Sequence, residues 1–152
     1  MGPRTVKKRL AQNGIDITSI EFLLVTHDHI DHIKGVGILA EKYSLPVYAT
    51  SVLHNSLDNH PCTRCRLSGC VRRTQPGVVS KYKNVEFTPF VVPHDATETV
   101  GYFINFNGVK FTFLTDLGEV TPDVIKYCKM SNVIIFESNY DLDMLLGGSY
   151  SP

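Results

Sequence analysis

From His27 to His32 the chain reads HDHIDH, so six consecutive positions hold three of its six histidines and two carboxylates. Imidazole nitrogen and carboxylate oxygen are the donors that divalent metals of borderline hardness take up. Gaps of one and two residues let such side chains converge only where the backbone turns sharply. The run therefore reads as a metal-ligand loop. A solvated histidine loop or an affinity tag is the plain alternative, but a tag is terminal and unbroken by Asp and Ile. This run instead follows the apolar residues 22–25 and leads into an apolar helical pattern, the context that motif reading demands. Two further polar positions stand at strand ends: His94 after the apolar run 90–92, and Asp116 after residues 111–115. Alone, His94 reads as a capped surface histidine and Asp116, within TDLG, as a turn residue bonding its own backbone.

The elements that must position these groups follow from periodicity and punctuation. Residues 3–13 read as a helix, with Pro3 in the first turn, Val6 and Leu10 four apart, and Gly14 as a stop. Residues 21–26 (EFLLVT) are a short buried strand ending at the histidines. Ile33, Val36, Gly37 and Ala40 give helical spacing over 33–43, and 46–49 is a second strand. That βαβ step puts the ligands at the carboxyl end of its first strand, where α/β proteins place their chemistry. Residues 50–79 are irregular and read as a short helix and a long loop. Beyond them 85–92, 99–106 and 109–114 are β-rich, with Asn107-Gly108 as a two-residue hairpin signal. This half is an antiparallel meander. Thr121-Pro122-Asp123 opens a helix through Lys129, and 133–137 is a last buried strand.

A chain of 152 residues, 43% hydrophobic, suits one domain, residues 1–152, of α/β class. No stretch approaches the ~18 apolar residues of a membrane span, and Met1-Gly2-Pro3-Arg4 lacks a secretory apolar core, so no membrane partner and a cytoplasmic location are expected. Net charge is zero but uneven. Residues 1–85 hold 12 Lys/Arg against 6 Asp/Glu, and 86–152 hold 3 against 9. Between Asn59 and Val85, Arg64, Arg66, Arg72, Arg73, Lys81 and Lys83 occur without a single acid. Such a segment either attracts the phosphates of nucleic acid, with strong salt dependence, or is an ordinary solvated loop.

His27, His29, Asp31 and His32 in an HxHxDH arrangement, then His94 and Asp116 at wide spacing, resemble the metallo-β-lactamase superfamily. The text VPHDATETVGYFI, FTFLTDLGEV and FESNYDLDML is similar to its YycJ or WalJ branch of exonucleases, over residues 2–150. The resemblance implies an αββα sandwich with one or two divalent ions, zinc foremost and manganese or iron as alternatives, at one edge of the sheets. It gives His27, His29 and His94 to the first metal, their nitrogens within about 4 Å of each other, and Asp31 and His32 to the second. Asp116 bridges the two, and Asp31 and Asp116 are its catalytic carboxylates. Two such cations lower the pKa of a shared water toward ~7, which suits phosphodiester hydrolysis and nucleic acid as substrate. Asp28 and Asp95, beside ligand positions, are expected to orient neighbouring imidazoles. Family members begin with a β-hairpin before the first helix and continue to one more histidine. The resemblance thus implies the middle of a larger domain, incomplete at both termini, with a weakened second metal and open sheet edges that invite homo-oligomers.

Two rival functions stay in view: hydrolysis of a small thioester or lactam on the same fold, and a non-catalytic metal-binding fragment acting through a partner. The cysteines are read separately. Cys62-x2-Cys65-x4-Cys70, with His54 and His60 nearby, could hold a structural zinc, remain free thiols, or form a disulfide, which a reducing cytoplasm disfavours. Cys128 in VIKYCKM is read as packed core, and Tyr102, Phe103, Phe106, Phe111 and Phe113 as core and surface of a sheet rather than a base-stacking platform.

Overall fold

The computed structural model describes residues 1–137. Helix α1 (Pro3–Gln12) starts on a proline, whose missing N–H costs nothing in a first turn. It is followed by a 3₁₀ turn (Ile17–Ser19) capped by Asp16, which accepts the Thr18 N–H at 2.7 Å. Strand β1 (Leu23–Leu24) is shorter than the apolar run around it. The helix expected at 33–43 is two pieces, α2 (Ile30–Ile33) and α3 (Val36–Tyr43), separated at Lys34 and Gly35. Then come β2 (Val47–Thr50) and α4 (Ser51–Asn59), whose N-cap Thr50 accepts the Leu53 N–H at 3.1 Å. Within the stretch read as loop, the chain forms β3 (Val71–Thr74), and just past its end β4 (Ser80–Tyr82). Both are too short and too polar to show as periodic runs. The meander β5 (Val85–Val91), β6 (Val100–Phe106) and β7 (Val109–Leu114) matches its expected limits within a residue. Asn107 and Gly108 take φ of 51° and 86°, the left-handed pair that a tight hairpin requires. Helix α5 (Pro122–Met130) and strand β8 (Val133–Phe136) complete the described chain.

The strands form two sheets: a parallel one in the order β1-β2-β3, and a five-stranded one in the order β4-β5-β6-β7-β8, antiparallel except for β8. Side chains alternate between sheet faces, and here each face has its own core. Phe87, Val100 and Tyr102 point from the second sheet onto Val25, Val47 and Ala49 of the first, with Leu53 and Leu57 of α4 beside them. From the opposite face Phe90, Val92 and Leu114 pack on Val124 and Tyr127 of α5. Val6 and Leu10 of α1 meet Leu39 of α3 in a third cluster. The layering is αββα. Tyr102, expected in the sheet, is buried and its hydroxyl donates to the Val25 carbonyl at 2.7 Å, joining the two sheets. Burial raises the pKa of that phenol well above its ordinary value.

The last strand departs from expectation. Val133, Ile134, Ile135 and Phe136 are 42–49% exposed, and among the described residues no strand lies beyond β8 in its sheet. The basic segment is also less bare than its composition suggests: Arg66 pairs with Glu41 at 2.5 Å, Lys83 with Glu21 at 2.6 Å and Lys81 with Glu86 at 3.6 Å. Acids from outside the segment fold back on it. No described helix is long and apolar enough to cross a membrane.

Candidate metal centre

The histidine loop leaves β1 in extended backbone, and His29, at φ −62° and ψ 142°, is the N-cap from which α2 starts. That abrupt change lets side chains two and three positions apart face one point. The ligand positions come from two sheets: His27 follows β1, whereas His94 follows β5 and Asp116 follows β7. Two backbone bonds bring these ends together. Val100 N–H donates to Thr26 O at 2.9 Å, pinning the entry to His27 against β6. Gly118 N–H donates to Pro93 O at 2.9 Å, fastening the Asp116 loop to the His94 loop. A Cβ at Gly118 would sit 2.9 Å from that same oxygen, so the close approach requires glycine. Asp116 itself takes φ of 50°, a left-handed conformation that Asp tolerates better than most residues.

The ligand atoms of His27, His29 and His94 lie within 4.8 Å of one another, and those of His27, His32 and Asp116 do the same. Each ring of the first set has one nitrogen engaged and the other turned inward. His27 Nδ1 meets Thr26 Oγ1 at 3.1 Å, which leaves its Nε2 buried without a hydrogen-bond partner. His29 donates Nε2–H to the Asp95 carbonyl at 3.2 Å, so its Nδ1 faces His94 Nε2 at 3.3 Å. His94 Nδ1 lies 3.2 Å from Asp95 Oδ1. An outer partner that fixes which nitrogen carries the proton is what metal-binding histidines need. Asp95 thus has the place expected of it.

In the second set Asp116 Oδ2 is 3.2 Å from His32 Nε2 and 3.8 Å from His27 Nε2, and it too is buried without a hydrogen-bond partner. Burial, with the His32 imidazole beside it, pushes the pKa of His27 down to about 4 despite the opposing charge of Asp116. A neutral ring keeps the lone pair that a cation would use. Inward-facing nitrogens beside an orphaned buried carboxylate oxygen fit a divalent cation better than they fit one another. Asp31 stands apart from both sets. Its Oδ2 is 3.4 Å from His32 Nε2, but the side chain is 75% exposed, at the solvent side of the cluster.

One sequence reading is corrected, and of the three open to the cysteines the structure shows free thiols. Asp28 does not orient an imidazole: its carboxylate accepts hydrogen bonds from Ser56 and Thr97. Burial raises its pKa, but those bonds outweigh burial and the net shift is downward. Nor do the cysteines gather around a zinc site among the described residues. All four are free thiols, Cys65 is exposed, and Cys70 is buried with Sγ toward the Ala40 carbonyl at 3.6 Å. Cys128 is half-buried beside the α5 core, as expected of packed core. Sequence reasoning missed Thr26, Ser56 and Thr97, since Ser and Thr at such positions carry no compositional mark.

Fold and cluster together define a metallo-β-lactamase-like domain, and the chain belongs to the beta-lactamase superfamily, whose domain model matches residues 2–146. The exodeoxyribonuclease YycJ of Bacillus anthracis is 37% identical over 144 residues, 91% of this chain and 52% of the relative. The exodeoxyribonuclease WalJ of Streptococcus pneumoniae is 29% identical over 148 residues, 97% of this chain and 55% of that one. The chain spans about half the length of the curated relatives it matches. Among solved structures, Zn(2+)-bound PqqB from Methylobacterium extorquens superposes with a TM-score of 0.71 at 22% identity, covering 87% of this chain and 51% of that one. The MIM-2 metallo-beta-lactamase gives 0.62 at 14% identity, over 86% and 60%. These two likenesses are of fold.

Proposed function

We propose that this chain carries the metal centre of a hydrolase that cleaves phosphodiester bonds in DNA. His27, His29 and His94 hold one divalent cation, and His32 and Asp116, with Asp31 at the solvent side, hold a second. Asp116 is shared. The observation that carries this reading is the assignment of ring nitrogens: Thr26 and Asp95 occupy the outer ones, and the inner ones converge. A nitrogen-rich donor set favours zinc over magnesium or calcium. When bound, such cations supply positive charge at the phosphate and a water of lowered pKa. The protein contributes a neutral His27, a carboxylate placed by the 116–118 turn, and two loops tied by the 2.9 Å hydrogen bond from Gly118 N–H to the Pro93 carbonyl. DNA as substrate is supported by the names of the two relatives and by exposed Arg72 and Arg73 on β3.

The test strips the chain with chelator, restores zinc, manganese or iron(II), and offers end-labelled DNA, RNA, a lactam and a thioester. Metal-dependent shortening of DNA is expected. Asp116→Ala should reduce it by more than the ~100-fold that loss of an outer ligand partner costs. A metal-loaded chain that leaves DNA intact while opening the lactam or thioester overturns the assignment, and one that cleaves RNA alone moves it to ribonuclease.

A further inference from the structure

Asp28 stands between His27 and His29, yet its hydrogen bonds go elsewhere. Its Oδ2 accepts from Ser56 Oγ on α4 and from Thr97 Oγ1, and its Oδ1 accepts from the Thr97 N–H at 3.3 Å. One carboxylate thereby joins three segments: the ligand loop, α4, and the turn that carries His94. A second tie runs parallel to it, from Thr50 Oγ1 at the N-cap of α4 to Glu98. Thr97 lies three residues after His94 and two after Asp95, whose carbonyl accepts from His29. A shift of this turn would therefore move a ligand and the outer partner of another ligand together.

We propose that Asp28 is a positioning residue: through Thr97 and Ser56 it holds the His27–His29 backbone in register with the His94 turn, so that the three imidazoles converge before a cation arrives. The proposal rests on the reading of this cluster as a metal site. Thr97 is exposed, so its hydroxyl can be removed without opening a core. Losing the clamp should cost metal affinity, because ligands that must be ordered on binding bind less tightly than ligands held ready.

Zinc affinity is measured by chelator competition on the 152-residue chain, with the visible spectrum of the cobalt(II) form reporting ligand geometry. Asp28→Ala and Thr97→Val should each weaken zinc binding by about tenfold, the lower end for loss of an outer partner. The double variant should lose little more than Asp28→Ala alone, since the Thr97 hydroxyl bond is already among those that Asp28→Ala removes. Thr97→Ser, which keeps the hydroxyl, should bind zinc and show the cobalt spectrum as the parent does, and metal-free Thr97→Val should keep the parent's melting midpoint. Should Asp28→Ala fail to fold, the Thr97 pair decides alone. Parental affinity and spectrum in Thr97→Val, or equal loss in Thr97→Val and Thr97→Ser, overturns the positioning role and leaves the metal site standing. A parent chain that takes up neither zinc nor cobalt overturns the metal reading, and this proposal with it.

Discussion

His54 lies wholly buried in α4, donates Nε2–H to the Arg72 carbonyl at 3.2 Å, and leaves Nδ1 without a hydrogen-bond partner. Burial holds its pKa below the ordinary value, against the opposing pull of that carbonyl. A base with a depressed folded pKa binds its proton more readily in the unfolded chain. Stability is then fully present above the unfolded value, near 6.5, and is lost as pH falls toward the folded one. His27, pushed down to about 4, acts in the same direction. The melting midpoint of the metal-free chain should therefore drop between pH 7 and pH 5. His54→Gln keeps an N–H donor but cannot titrate, so it should flatten that slope, and an unchanged slope would show that the His54 shift is not realised. At this scale the sequence told most about residues that share a type and a spacing. His27, His29 and His32 were legible because chemistry restricts which side chains bind cations, whereas His94 and Asp116, single residues at distant strand ends, were assigned only through the family resemblance. The partners of Asp28 were not, because Ser56 and Thr97 lie 28 and 69 residues away and their hydroxyls resemble those of any surface turn.

The elements hold the site through two close approaches of different kinds. Tyr102 reaches across from β6 to the Val25 carbonyl, and Gly118 lets the turn after β7 touch Pro93. Tyr102→Phe deletes the donor and leaves a buried carbonyl unsatisfied, so urea unfolding should show a loss of about 1–2 kcal/mol. Gly118→Ala puts a Cβ 2.9 Å from a backbone oxygen that cannot rotate away. Its larger effect should fall on zinc affinity, since the shift separates Asp116 from His94. Equal zinc affinity in the two variants would mean that the 93–118 contact does not set the site. The hairpin, its flanking strands and the capped helix α5 were readable because Asn-Gly and Thr-Pro-Asp are local signals. Strands β3 and β4 were hidden, for they are three or four residues long and their apolar positions are few. The exposed edge of β8 was hidden for another reason. VIIF has the composition of a central strand, and only the order of the sheet tells that it is the last among the described residues.

Across the whole molecule the basic half was legible as a charge imbalance, but its ion pairs were not, because Glu21 and Glu41 are distant in sequence from Lys83 and Arg66. The folded chain therefore offers phosphate a smaller surface than the composition suggests. Arg66, Lys81 and Lys83 face carboxylates, and Arg72 spends part of its guanidinium on the carbonyls of Gly69 and Val71 at 3.1 and 2.8 Å. Arg72 and Arg73 nonetheless remain exposed on the edge strand β3. Each cation that neutralises a DNA phosphate contributes about 0.9 to the slope of log affinity against log salt for duplex, and about 0.7 for a single strand. If β3 carries DNA toward the cluster, Arg73→Ala should lower that slope by about one such step and weaken binding to all sequences alike. Arg66→Ala should change it less, because Glu41 already screens that charge. Binding is measured on the metal-free chain, where cleavage cannot distort the titration, and zinc affinity should be the same in both variants. A slope that Arg73→Ala leaves unaltered, or that Arg66→Ala lowers just as much, would mean that β3 does not track phosphate, and the support for DNA as substrate would then rest on the relatives alone.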